Sequence, residues 1–164
     1  MSETRTRVHD HIKQHPGRHF NALVRALDLA PGQVQYHLKR LKHEDKIIEE
    51  RCHGRTHYFT PEYDARERGR IAVLRRETAR DLLMYLLDAG PSDPATVADG
   101  LEIARSTLEW HLDRLVEHDV VEKRRDTRNR VTLAVVNREE AVWLLEEITP
   151  SLSDRMIDRF TRLV

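Results

Sequence analysis

The feature that most constrains this chain is an internal repeat with an offset of 74 residues. At that offset the segment VQYHLKRL, which starts at Val34, aligns with LEWHLDRL, which starts at Leu108. The register continues outwards, since Asp45 aligns with Asp119. One structural unit of about sixty residues therefore occurs twice. The identical pairs inside the segment are His37 and His111, Leu38 and Leu112, Arg40 and Arg114, and Leu41 and Leu115.

Each unit is predicted to contain three helices. The first, over about 4–15 and 78–88, ends at a Pro-Gly or Gly-Pro pair, residues that stop helices. A short second helix follows, and in the second unit it begins at Pro94, which suits a first helical position. The third helix carries an apolar stripe at i, i+3, i+4 and i+7, which predicts one face in a core and one face free. That stripe is Val34, His37, Leu38 and Leu41, repeated as Leu108, His111, Leu112 and Leu115.

A β-hairpin is predicted after each third helix. Ile47-Ile48 and Val120-Val121 each lead into a polar tip and then a β-rich run, which begins at His57 or at Val131. Three helices closed by a hairpin form the winged helix-turn-helix, whose third helix usually enters the major groove. The predicted fold class is therefore mainly α with small β-hairpin wings.

The predicted architecture is two tandem winged helix-turn-helix domains plus a C-terminal helical tail. Domain 1 covers 1–61, an Arg-rich helical linker covers 62–77, domain 2 covers 78–137, and C-terminal helices cover 138–164. Gly69 is the expected break in the linker helix. A helix capped by Asn137 is expected to start the tail. An apolar stripe further along the tail could complete the core of domain 2 or pack against a second copy of the chain, and dimerisation is the expected role. The stripe is Leu152, Met156, Phe160 and Leu163.

Composition adds limits on compartment and partner. No signal peptide or apolar run long enough for a membrane span is found, so a cytoplasmic protein without a membrane role is expected. The 28 basic and 28 acidic side chains balance overall. Residues 1–77 nevertheless hold 16 basic against 11 acidic side chains, and 78–164 hold 12 against 17. The first half is thus the better candidate for binding phosphates.

The two third helices also resemble those of a known family. Residues 32–41 (GQVQYHLKRL) and 106–115 (STLEWHLDRL) are similar to recognition helices of archaeal winged-helix regulators. The tandem arrangement, the Arg-rich connection and the SLSDR segment from Ser151 resemble haloarchaeal tandem winged-helix proteins in particular. The resemblance implies sequence-specific binding to promoter DNA, usually as a homodimer. A protein that binds double-stranded DNA in this way is expected to be associated with the nucleoid.

In domain 1, DNA contact is predicted for the outer face of the third helix and for the wing. Glutamine can bond bidentately to adenine, arginine to guanine and lysine to phosphate. A solvated helix face is the plainer alternative. The residues are Gln33, Gln35, Tyr36, Lys39, Arg40 and Lys42 on the helix and Arg51 and Arg55 on the wing, where His53 and His57 are further candidates.

In domain 2, Glu109 and Asp113 replace Gln35 and Lys39, and their charges repel phosphates. The strongly basic wing is therefore expected to touch DNA, or the third helix to face a protein partner. Glutamate accepting from cytosine leaves a reading role open. The candidates are Arg105, Ser106, Thr107 and Arg114 on the helix and Lys123, Arg124, Arg125, Arg128 and Arg130 on the wing.

Other functions have weaker support in the sequence. Seven side chains could form a Zn²⁺ site, although no paired CxxC or HExxH motif is present, and Cys52 could sense oxidants. No cofactor and no catalytic site is predicted, since phosphate loops and nucleophile elbows are absent from the sequence. The main alternative is a protein-interaction module in a transcription assembly. The seven side chains are His9, His11, His15, His19, Cys52, His53 and His57.

Overall fold

The computed structural model describes residues 2–149, and the chain divides into two compact units, Met1–Ala72 and Val73–Val164. Within 2–149, no helix combines the length and apolar character that crossing a membrane requires. Unit 1 contains α1 (Glu3–Gln14), α2 (Phe20–Leu27), α3 (Pro31–His43), β1 (Ile48–Cys52) and β2 (Arg55–Phe59). Helix α4 (Ala65–Leu74) spans the division, and unit 2 contains α5 (Glu77–Ala89), α6 (Pro94–Leu101), α7 (Arg105–Glu117), β3 (Val121–Arg125), β4 (Val131–Val135) and α8 (Arg138–Ile148).

Local sequence sets the ends of the helices. The Ser2 side chain accepts from the backbone N–H of Arg5 and so caps α1, and Asp93 caps α6 in the same way through Thr96. Pro31 occupies the first turn of α3, where the missing N–H costs nothing. The three helices follow one another in the predicted order in both units.

The repeat in sequence is also a repeat of backbone conformation. Helices α2 and α6 have 8 residues each and α3 and α7 have 13 each, and each pair starts 74 positions apart. The residues that end these helices match too: Asp28 and Glu102 both adopt the left-handed conformation, with φ of 52° and 56°. The predicted fold class is therefore confirmed.

The stripe of each third helix lies in the core of its own unit. In α3, Val34 and Leu41 are fully buried, and in α7 Leu108, Leu112 and Leu115 are fully buried. Each hairpin closes its unit as an antiparallel pair, in which Ile48 faces Phe59 in unit 1 and Val121 faces Val135 in unit 2. Because burying such side chains contributes roughly 1.5–3 kcal/mol each, this stripe holds the outer face of the helix towards solvent.

The predicted helix break at Gly69 is wrong. Helix α4 continues through Gly69 to Leu74, and α5 begins at Glu77 after Arg76 as its N-cap. Gly69 is buried, so packing of α4 offsets the roughly 1 kcal/mol by which glycine weakens a helix. The structure divides the chain after Ala72, inside the segment that the sequence assigns to a linker.

The tail begins as predicted. Asn137 accepts from the backbone N–H of Glu140 at 3.0 Å and caps α8, whose inner face includes the buried Leu144 and Leu145. The predicted stripe from Leu152 to Leu163 lies outside the described residues.

Candidate nucleic-acid interface

The outer face of α3 is exposed along its whole length. The six residues predicted to contact DNA from this helix are all solvent-exposed, because the apolar stripe turns the opposite face into the core. The side chains of Gln35, Lys39 and Arg40 have no hydrogen-bond or ion-pair partner in the described part of the chain. Two cations and an amide are therefore available on one helix face.

The other three side chains of α3 that are predicted to contact DNA already contact other residues of unit 1. The Gln33 carbonyl oxygen accepts from the backbone N–H of Ala30 at 3.3 Å and completes the cap of the helix. The Lys42 ammonium lies 3.0 Å from a carboxylate oxygen of Glu49 on β1. Tyr36 is 55% exposed, with the Arg5 guanidinium 5.8 Å from its ring centre.

The wing of unit 1 is short. Its turn consists of His53 and Gly54, both with positive φ (47° and 83°), as a tight two-residue hairpin turn requires. Arg51 is exposed beside this turn and Arg55 is half-buried. The prediction that His57 contacts DNA is wrong, because its ring is buried and its Nδ1 donates to the carbonyl oxygen of Gly17 at 2.6 Å.

In unit 2 the corresponding helix face is occupied by an ion network. The carboxylate of Glu109 on α7 lies 3.2 Å from the Lys123 ammonium of β3 and 3.6 Å from the Arg105 guanidinium one turn earlier. Asp113 lies 4.0 Å from the same ammonium. Two carboxylates thus face two cations that the sequence predicts to contact DNA. Ser106 and Thr107 remain exposed at the start of α7.

The exposed indole of Trp110 holds two further cations. The guanidinium of Arg114 lies 4.0 Å from a ring centre of the indole and that of Arg76 lies 4.9 Å away. Arg114 also donates to the backbone oxygen of Trp110 at 2.9 Å. The guanidinium predicted to face DNA is therefore held against its own helix.

The wing of unit 2 is longer, with a five-residue tip over 126–130 between its strands. Asp126 accepts from the backbone N–H groups of Arg130 and Arg128, each at 2.9 Å, and from Nε of Arg130 at 2.8 Å. The hydrogen bond from the Arg130 backbone is the main cause that lowers the pKa of Asp126. This carboxylate therefore stays ionised and fixes the shape of the tip.

The arginines of this wing differ in whether their side chains have an ion-pair or hydrogen-bond partner. Arg124 is paired with Glu122 at 2.7 Å, and Arg125 donates to the neutral amide oxygen of Asn129 at 3.1 Å. The side chain of Arg128 has no such partner within 2–149.

Two histidines on the inner stripes carry unsatisfied nitrogens. Nδ1 of His37 and Nδ1 of His111 are buried and lack a hydrogen-bond partner in the described residues. Burial lowers the pKa of His37, with a further contribution from Arg5. Burial also lowers the pKa of His111, followed by Arg76 and Arg114.

The proposed Zn²⁺ cluster is not assembled. Among the described residues, no three of the seven side chains suggested by the sequence bring ligand atoms within 4.8 Å of one another. Rings of His11 and His15 do meet on α1, with centres 4.5 Å apart, but they supply two ligands rather than the usual four.

Both units match known domain models. A model described as an N-terminal HTH domain matches residues 2–71, and one described as a helix-turn-helix domain matches residues 74–124. An uncharacterized HTH-type transcriptional regulator of Methanocaldococcus jannaschii is 24% identical over 131 residues. The match covers 80% of this chain and 33% of the relative, so the chain spans a third of the relative's length.

Solved structures show only distant likeness. The structure of disulfide-formed AbfR has a TM-score of 0.43 at 14% identity, covering 60% of this chain and 74% of AbfR. Overoxidized AbfR bound to DNA has the same TM-score and identity, with coverage of 80% and 88%. ScpB from Mycobacterium tuberculosis reaches 0.31 at 15% identity, with coverage of 81% and 89%. These scores are too low to bear on function.

Proposed function

We propose that this chain, which is built from two tandem winged helix-turn-helix domains, is a DNA-binding transcriptional regulator that reads promoter DNA with α3. In this proposal it acts without catalysis, in the cytoplasm and associated with the nucleoid. It binds as a homodimer to a palindromic site, whose half-sites are spaced by whole helical turns.

One observation carries the proposal. The side chains of Gln35, Lys39 and Arg40 form a row on the exposed face of α3 and have no hydrogen-bond or ion-pair partner among the described residues. The row combines the amide that pairs with adenine, the guanidinium that pairs with guanine and an ammonium for phosphate. The opposite face of the same helix is locked in the core, so these side chains project from a rigid support. Reading and anchoring can thus be done by one helix.

Further support comes from the surroundings of this row. The wing of unit 1 adds the exposed Arg51, and unit 1 is the half of the chain with excess positive charge. The transcriptional regulator of M. jannaschii, to which most of this chain aligns, is named for the same activity.

The test is selection of bound duplexes from a random DNA pool, followed by affinity measurements against salt concentration. Lys39→Ala/Arg40→Ala should weaken binding about 10- to 100-fold and reduce the slope of log K against log salt by about two. The matched control is Lys13→Ala/Arg66→Ala, which removes one lysine and one arginine from exposed positions of α1 and α4. The control should bind nearly as the wild type does.

The opposite result points to the second candidate, a protein-interaction module in a transcription assembly. The neutral ion network on α7 is the observation that favours it. No enriched sequence, together with equal binding by both double variants, would replace the proposal with this one.

A further inference from the structure

We infer that Glu109 prevents the third helix of unit 2 from reading bases, so that unit 2 binds the sugar–phosphate backbone through its wing alone. The inference rests on the proposed function, because it assigns different roles to the two units of a DNA-binding protein. It makes Glu109 a specificity-determining residue: its presence decides that α7 does not read bases.

The first step is the geometry of the Glu109 carboxylate. One oxygen faces the Arg105 guanidinium at 3.6 Å and the other faces the Lys123 ammonium at 3.2 Å. Asp113, one turn further along α7, approaches the same ammonium at 4.0 Å. The two carboxylates therefore offset the charges of Arg105 and Lys123 on this face, which weakens the local attraction for phosphate.

The second step concerns base reading by glutamate. A glutamate can accept a hydrogen bond from cytosine N4 if its carboxylate can turn towards the base. Both oxygens of Glu109 already face cations, and a neutral cytosine amine would have to compete with these charged partners for the orientation of the carboxylate. Reading by α7 is disfavoured for this reason, in addition to its charge.

The third step is the wing itself. Lys123 is committed to α7, whereas the exposed Arg128 at the tip has no partner within the described residues. Asp126 holds the backbone on either side of it by accepting from the N–H groups of Arg128 and Arg130. A fixed tip with a free guanidinium is suited to a phosphate contact that carries no sequence information.

Three single variants of the full chain test the inference, each measured on the selected operator for its salt slope and for its base preference at every position. Arg128→Ala should lower affinity about 3- to 10-fold and reduce the salt slope by about one, whereas Lys123→Ala should leave both nearly unchanged. Glu109→Gln installs the residue that stands at the matching position of unit 1 and frees Lys123. It should steepen the slope by about one and add a base preference at a position that the wild type does not discriminate.

The control is Glu139→Gln, which removes one carboxylate from the exposed first turn of α8 in the same unit. If Glu109→Gln alone abolishes a preference for one base pair, α7 reads DNA and the inference is wrong. It is also wrong if Lys123→Ala loses as much salt slope as Arg128→Ala does.

These failures differ from failure of the proposed function. If Lys39→Ala/Arg40→Ala leaves binding unchanged, the proposed function fails and takes the inference with it. If that double variant loses binding but Arg128→Ala does not, only the inference fails. Circular dichroism of each variant establishes that these surface changes leave the fold intact.

Discussion

The two units have the same backbone and opposite chemistry on the same helix face. In unit 1 the strand β1 supplies the acid, Glu49, and α3 supplies the base, Lys42. In unit 2 the position that matches Glu49 is Lys123, and α7 supplies the acid, Glu109. Each unit therefore has an ion pair of opposite polarity between its third helix and its wing, and the helix partners Lys42 and Glu109 stand at positions that do not match in the repeat.

This contrast separates what fixes the fold from what fixes the function. The inner stripe is nearly identical in both units because each residue must fill the same core. The outer positions are free of that constraint, and there Gln35 and Lys39 correspond to Glu109 and Asp113. On the proposed function, two surface substitutions therefore distinguish a helix that reads DNA from one that does not.

The largest effect is expected from giving α3 the charges of α7. Gln35→Glu/Lys39→Asp removes one cation and adds two carboxylates on the exposed face, so affinity for the operator should fall about 100-fold or more at moderate salt. Fluorescence anisotropy with a labelled duplex measures the loss. Retention of wild-type affinity would show that α3 does not approach DNA and would end the distinction between the units.

A smaller effect, on the free energy of unfolding, is expected when the glycine that follows the first helix of each unit is replaced by alanine. Gly17 and Gly90 both have φ near +80°, so alanine strains the backbone in both. Only at Gly17 would the added Cβ meet other atoms, at 2.7 Å from Ile71 and 3.2 Å from Phe59. Gly17→Ala should therefore cost about 2 kcal/mol more in free energy of unfolding than Gly90→Ala.

Denaturant unfolding measures this difference. Fluorescence of the two tryptophans reports unit 2 alone, because Trp110 and Trp143 both belong to it, whereas circular dichroism reports both units. Equal losses for the two variants would contradict the packing at Gly17.

The smallest effect is expected from pH. Because the pKa values of His37 and His111 are lowered in the folded chain, unfolding takes up protons as the pH falls below about 6.5. Stability is thus fully present above that pH and declines as the pH drops towards the lowered values. His37→Phe and His111→Phe, which keep a ring but cannot be protonated, should each flatten the decline.

The measurement is the unfolding midpoint in urea at pH 7.5 and pH 5.5 for wild type and both variants. The His111→Phe effect should appear in tryptophan fluorescence, and the His37→Phe effect in circular dichroism only. An unchanged pH dependence in both variants would assign it to other groups.

Most of the fold can be predicted from the repeat, because a stripe such as Leu108, Leu112 and Leu115 has one stable solution in a small helical domain. The break assigned to Gly69 could not be judged correctly, since burial of that residue depends on packing that local sequence does not reveal. The same holds for His57, whose ring bonds to Gly17 forty residues away.

The candidate site is only partly predictable. The exposed face of α3 follows from its periodicity, but which cations are already engaged depends on contacts between helix and strand. The pairing of Glu109 with Lys123, 14 residues apart, is such a contact. The repeat carries a signal for this pairing. Lys123 stands where unit 1 has Glu49, and Glu109 stands where unit 1 has Gln35, so the two positions gain opposite charges together.

The close approach at Gly17 has a consequence for how the chain is made. Its N–H donates to the backbone oxygen of Tyr58 at 2.9 Å, and the space beside its Cα is filled by Ile71 of α4. During synthesis unit 1 emerges before unit 2, yet its packing can be completed only after Ile71 has been added. Unit 1 is therefore completed when translation has already reached the start of unit 2.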